Sequence, residues 1–279
     1  MLKSVIVGLD DTKAAQQAQA FAISLAQRHG ARLIGVSVVD VPFLTAPEAR
    51  PLGAGYYKAL KDSAQLERAQ ADSAKILAAF CEKCRQTGVP QTTATYHGDP
   101  YAELLKAAAG SDIIVIGRDT SFHDGDEAEQ AVGDSVARLV KDNPRPLIVT
   151  PPEASTGDAV LLAYDGSLPS LRAEQLFVLL GLATGKTVQV ISIHEEKAAA
   201  LALAEEARTF LLLHDVKAEV QGIVSDADPA DILLAEITSL NAGLMAMGAY
   251  GRRGWREKIL GSCTKTLLRK SAAPLFLHH

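Results

Sequence analysis

Between Gly248 and Ser262 the chain reads GAYGRRGWREKILGS, a stretch whose residue types suit an anion. Glycines at 248, 251, 254 and 261 let the backbone turn tightly and approach a ligand closely. Gly261-Ser262 opens a helical stretch, and the first amides of a helix are free to bind negative charge. Ser262 adds a hydroxyl donor. From 252 to 270 there are seven Lys and Arg against one acid, Glu257. Together these features suit a polyphosphate. A Gly-rich surface loop before a solvated basic helix would share the charge, but not the coincidence of strand end, glycines and hydroxyl. Glu257 is the only residue of the loop able to activate a water, and an ion pair with a neighbouring arginine accounts for it as well. Binding is therefore expected rather than turnover.

Such a loop must leave the carboxyl end of a buried strand, and the chain supplies one twice. Residues 4–10 (SVIVGLD) and 159–165 (AVLLAYD) are apolar runs of strand length ending in Asp10 and Asp165. Each is followed by apolar residues at helical spacing, then by a second strand, RLIGVSVV (32–39) or TVQVISI (187–193). Long helices are expected over about 62–87 and 195–214, and third strands over 91–96 and 217–224. Asp99-Pro100 and Asp228-Pro229 then start helices, with Pro in the first turn. Fourth strands DIIVIG (112–117) and GLMAMG (243–248) end in glycine, and PLIV (146–149) and PLFL (274–277) close the halves. Near-continuous Val, Ile and Leu strands alternating with helices predict α/β architecture: two tandem, doubly wound, parallel-sheet domains of Rossmann-like type. The boundary falls in the linker PPEASTGD (151–158), giving domains 1–152 and 153–279 packed as an intramolecular pseudo-dimer. Ligands of such sheets bind at the carboxyl ends of the strands where strand order reverses, after the first and fourth strands.

The spacing Gly248-x2-Gly251-x9-Gly261-Ser262 resembles the ATP-binding signature of the universal stress protein family, and the repeated plan resembles a tandem member. The resemblance implies an adenine nucleotide alpha hydrolase-like fold and binding of ATP, ADP or AMP, with Mg²⁺ accompanying ATP. It places Gly248, Gly251, Gly261 and Ser262 at the phosphates and ribose, Asp165 beside the adenosine moiety and the Ile193 backbone at adenine. Arg252 and Arg253 add charge to the phosphate loop. The implied role is a bound regulator in stress response or signalling. A slow ATPase or a nucleotide-independent interaction scaffold, with a protein partner unknown, are the alternatives.

The first half departs from the signature. After Gly117, Thr120 replaces the second glycine, twelve residues lead to Gly133, and Asp134 takes the hydroxyl position. Residues 118–141 hold six acids against three bases. This half is expected to be degenerate for nucleotide, with Asp10 a remnant. It also carries an extra segment, Val41–Asp62, too rich in Pro and Gly for one regular helix and expected to cap the degenerate pocket or the domain interface. GLATGKT (181–187) is one residue short of a P-loop and joins helix to strand. Cys81 and Cys84 sit in a helical stretch without a second pair. His97 reads as a surface-turn residue, and His123 sits in the acidic loop. Trp255 reads as a loop anchor or a nucleotide cover.

Composition narrows the rest. With 48% hydrophobic and 22% charged residues the chain can build a core. A net charge of −5 argues against a general nucleic-acid binder. No run approaches the ~20 apolar residues of a membrane span, and the first residues do not read as a signal peptide. Three cysteines give no disulfide framework, so the cytoplasm is expected. Leu275, Phe276 and Leu277, read as an exposed last strand, would allow further homodimerisation.

Overall fold

The computed structural model describes residues 1–48, 55–122, 132–249 and 261–279. The first half runs β1 (Ser4–Gly8), α1 (Lys13–His29), β2 (Arg32–Val39), α2 (Val41–Leu44), α3 (Gly55–Thr87), β3 (Gln91–His97), α4 (Pro100–Ala108), β4 (Ile113–Gly117), α5 (Asp134–Asp142) and β5 (Leu147–Thr150). The second runs β6 (Ala159–Ala163), α6 (Leu168–Leu179), β7 (Thr187–His194), α7 (Lys197–Leu213), β8 (Lys217–Val224), α8 (Pro229–Ser239), β9 (Ala242–Gly248), α9 (Ser262–Lys270) and β10 (Leu275–His278). Among the described residues five helices that follow strands begin on a capping side chain: Thr12, Asp40, Asp99, Ser167 and Asp228 each accept from a backbone amide of the first turn.

All ten strands form one sheet, in the order β3-β2-β1-β4-β5-β10-β9-β6-β7-β8. Every neighbouring pair is parallel except the central one, where β5 and β10 run antiparallel with Val149 opposite Leu275, Ile148 opposite Phe276 and Leu147 opposite Leu277. The last strand is therefore not an exposed edge. It is buried at the middle of the sheet, and β3 and β8 are the edges. An isolated reading of Leu275–Leu277 could not show that β5 of the same chain satisfies its open side.

Alternation along the strands builds two apolar layers, and both cross the junction. One holds Val5, Val7, Phe80, Tyr164, Phe177 and Phe276. The other holds Ile6, Ile116, Leu139, Leu161, Met245 and Leu275. Phe276 is fully buried and meets Phe177 edge to face, with ring centroids 5.6 Å apart. The N-terminus adds a further link, since the Leu2 amide donates to the Leu180 carbonyl at 3.1 Å.

The extra segment is partly helical. Residues 55–62 already belong to α3, which begins seven residues before the expected start because GYYKALKD contains no breaker after Gly55 and pairs Lys58 with Asp62 at i,i+4. The described part of the segment packs on the first turns of α3: the Lys58 ammonium also donates to the Thr45 carbonyl, and Lys61 pairs with Glu48. Residues 49–54 lie outside the described residues. Cys81 and Cys84 fall within α3, and burial pushes the Cys84 thiol up to about 11. Among the described residues no group of three or more His, Cys, Asp or Glu could hold a metal ion. GLATGKT joins α6 to β7, with Gly181 and Gly185 at positive φ. Among the described residues no helix is long and apolar enough to cross a membrane.

Because Phe276 sits at the junction of both halves, Phe276→Ala should lower unfolding free energy by about 3–5 kcal/mol, the usual cost of deleting a buried ring. Urea denaturation followed by circular dichroism checks this. A loss below about 1 kcal/mol would mean that the junction tolerates a cavity of that size.

Candidate functional site

Strand order reverses between β1 and β4 in the first half and between β6 and β9 in the second. The two reversal points are built alike and filled differently.

In the second half a cavity of about 890 Å³ opens at the carboxyl ends of β6, β7 and β9, within the range of small-molecule sites. Asp165, Ile193, Gly248, Gly261 and Ser262 all line it. Gly251, Arg252, Arg253, Trp255 and Glu257 lie outside the described residues. Asp165 ends the β6 turn, where one carboxylate oxygen accepts from the Ser167 amide at 2.9 Å. Asp228 caps α8, accepting from Ala230 at 2.9 Å. Ile191, Ile193, Leu203, Leu233 and Met247 supply an apolar wall.

The glycines differ in what they do. At Gly248 a Cβ would lie 2.6 Å from the Pro169 carbonyl carbon and the Ser170 nitrogen, so glycine lets β9 meet the start of α6. Gly117 stands in the same relation to Ala14 and Ala15 of α1. Gly261 is another case. Its backbone (φ −57°, ψ 150°) is open to any residue, and a Cβ there would meet no atom of the described residues within 4 Å. Gly261 also caps α9 without a side-chain hydrogen bond, which leaves the first amides of α9 facing the cavity region.

Electrostatically, the described walls carry four carboxylates, Asp165, Glu195, Asp226 and Asp228, and no Lys or Arg. Burial, with Asp228 and Asp165 beside it, pushes the Cys263 thiol up to about 12, so it stays protonated and unreactive at neutral pH. The acceptors suit hydroxyl and amino groups, the apolar wall a flat ring, and the α9 terminus an anion. Glu195, Asp226 and Asp228 were not evident as lining residues in the sequence; the matching Asp-Pro pairs after the third strands are the one signal that marked Asp228.

In the first half the chain occupies its own site. The Asp10 carboxylate accepts from the Thr12 amide and hydroxyl, from Ser121 N at 3.0 Å and from Phe122 N at 3.3 Å. Burial raises its carboxyl above the ordinary value against the pull of those bonds. Phe122, at φ 64°, turns its ring inward against Gly8 and Ile116 until it is 7% exposed. The loop then closes: Gly133 N donates to the Arg118 carbonyl at 3.0 Å, and a Cβ at Gly133 would collide with the Thr120 carbonyl. Asp99 is likewise taken, by Arg138 at 2.7 Å, whose guanidinium also lies over the Tyr101 ring. His97 is exposed at the end of β3, and residues 123–131, including His123, lie outside the described residues.

The universal stress protein family model matches residues 1–151 and again 157–278, so the chain belongs to that family. The universal stress protein Slr1230 of Synechocystis is 25% identical over 290 residues, covering 98% of this chain and 99% of its own. A universal stress protein from Archaeoglobus fulgidus superposes with a TM-score of 0.71 at 19% identity, covering 99% of this chain and 97% of its own. A functionally unknown protein from Pseudomonas aeruginosa PAO1 does so at 0.61 and 16%, covering 99% and 92%. These structural likenesses bear on the fold.

Behind the cavity wall, the Tyr164 hydroxyl donates to Glu206 at 2.7 Å, and Glu174 is 2% exposed with Oε1 unpartnered. Burial, and then the Glu206 charge, pushes the Glu174 carboxyl from 4.5 up to about 8. Between those values the folded chain holds a proton that the unfolded chain releases, so stability falls as pH rises from 4.5 to about 8. Glu174→Gln should flatten that part of the stability-versus-pH curve, measured by thermal unfolding at a series of pH values. An unchanged slope would assign the pH dependence to other groups.

Proposed function

We propose that this universal stress protein binds one adenine nucleotide per chain, ATP with Mg²⁺ or else ADP or AMP, in the cavity of its second half. The carrying observation is the contrast between equivalent positions. Among the described residues Asp165 and Gly261 face a cavity, whereas Asp10 and Gly133 are closed off by the chain's own loop. In this reading Asp165 accepts from ribose hydroxyls and the Ile193 backbone meets adenine. The α9 amides, Ser262 and the Gly248–Gly251 turn take the phosphates, and Arg252 and Arg253 supply long-range attraction. Those arginines offset the carboxylates of the wall, which alone would repel a triphosphate.

The nucleotide acts as a bound regulator. Among the described residues lining the cavity, Asp165 and Asp228 already accept from backbone amides and serve the turn and the helix cap. That supports binding over hydrolysis. A role in stress signalling, in the cytoplasm and through a protein partner, follows from this reading.

Calorimetric titration with ATP and Mg²⁺ should give one site per chain, and two equal sites would overturn the assignment. Since a Cβ at position 261 meets no atom of the described residues, Gly261→Val should fold normally by circular dichroism and still lose detectable binding. Arg252→Ala or Arg253→Ala should weaken binding only about two- to fivefold, in line with exposed charges worth at most ~1 kcal/mol each. Normal binding by Gly261→Val alongside loss in an arginine variant would mean that side-chain charge, not the helix terminus, holds the phosphates.

A further inference from the structure

The central antiparallel pairing brings unlike ends of the two halves together. At the junction the carboxyl end of β4 lies beside the amino end of the second half, where α9 finishes before β10 begins. Arg118, the residue after β4, reaches across that seam. Its Nη1 donates to the Arg269 carbonyl at 2.6 Å and to the Leu268 carbonyl at 3.4 Å, and the residue is only 7% exposed. The last carbonyls of a helix have no partners within it. In α9 the Ser271 amide takes Leu267, and the Arg118 guanidinium takes the next two. A buried cation at a helix C-terminus also opposes the negative end of the helix dipole. Asp119, next in sequence, supplies its counter-charge.

The equivalent residue of the second half, Ala249, shares the backbone position of Arg118 but not its side chain. Arg118 N donates to the Thr150 carbonyl at 2.8 Å, and at the equivalent place Ala249 N donates to the His278 carbonyl at 2.8 Å. The backbones match, but Ala249 has no side chain to reach α5. At the end of α5 the Asn143 backbone amide donates to the Leu139 carbonyl at 3.0 Å. Ala249 makes no such contact, although His279 of the second half does face Asp142 at the end of α5.

We infer that Arg118 of the filled half is a positioning residue for the open half, clamping the C-terminus of α9 and so setting how firmly its N-terminus is presented to the cavity. The helix has nine residues, Ser262–Lys270, a rod about 13 Å long at 1.5 Å per residue, so slack at one end is felt at the other. The inference rests on the proposed nucleotide site for its functional meaning, but the clamp itself can be read without nucleotide. The degenerate half thereby keeps a role, holding the phosphate-end helix of its neighbour although its own pocket is filled.

The test compares the full-length parent chain with Arg118→Met and Arg118→Lys. Hydrogen exchange without nucleotide should become faster across 262–270 in Arg118→Met, while α6 and α8 keep their protection. A merely structural loss would raise exchange throughout. Affinity for ATP with Mg²⁺ should fall about three- to tenfold, the range expected for a partly buried charge at a helix end. Arg118→Lys, which keeps the charge but offers one ammonium to two carbonyls, should lie between the two. Should Arg118→Met not fold, the lysine variant carries the same comparison with a smaller effect. Unchanged exchange across 262–270 in the folded variants overturns the clamp, whatever ATP does. Faster exchange there with unchanged ATP affinity overturns the link from clamp to site. Failure of the parent itself to bind ATP overturns the nucleotide reading, and the exchange data then still decide the clamp.

Discussion

Three residue pairs between β5 and β10 determine the architecture of this molecule. Each half ends on a short apolar strand whose outer edge would be left without hydrogen-bond partners, and the two ends satisfy one another. Two consequences follow from that pairing. The helical layers on both faces continue across the seam, so Phe276 packs on Phe177 within one apolar layer that also holds Phe80 of the other half. The antiparallel sense also turns the halves head to tail, which brings Arg118 to the end of α9.

Within this frame, two copies of one loop plan have reached different energetic solutions. Holding Phe122 at positive φ costs of order 1–3 kcal/mol. Burying its ring returns about as much, roughly 1.5–3 kcal/mol, and the two amides it and Ser121 present satisfy the second oxygen of a buried carboxylate whose first is taken by Thr12. The strain and the burial in the filled site thus roughly cancel, and it has no need of a ligand. In the second half, among the described residues, the Asp165 carboxylate accepts one backbone bond, from Ser167, and a Cβ at 261 would meet no atom within 4 Å.

The strands were legible because β1, β4, β6 and β9 are buried on both faces and therefore read as unbroken Val, Ile, Leu and Met runs. The reversal points and the residues around Asp165 and Gly261 followed from the same pattern. Other features were not legible, for specific reasons. An apolar strand looks the same at an edge and in the middle, so Leu275–Leu277 could not reveal its partner. The start of α3 was obscured by the Pro and Gly ahead of Gly55, which masked a run with no breaker of its own. Gly248 and Gly261 are identical letters, yet one is required by a neighbouring helix and the other is unconstrained by the described residues. Arg118 sits among acids in sequence, and only the folded seam shows that it serves backbone carbonyls of the other half.

The head-to-tail junction has a consequence for how two ligands would meet on this molecule. The loops beyond β1 and β4 leave one side of the seam, and those beyond β6 and β9 leave the other. A macromolecule gripping the first set and a small molecule occupying the second would not touch, so neither could displace the other by occupying its space. Any influence between them must pass through the shared layers and the seam, and it must then be mutual. Whatever factor one imposes on the other's affinity is returned unchanged. Their relation is non-competitive by construction, since saturating either one leaves the other's space free.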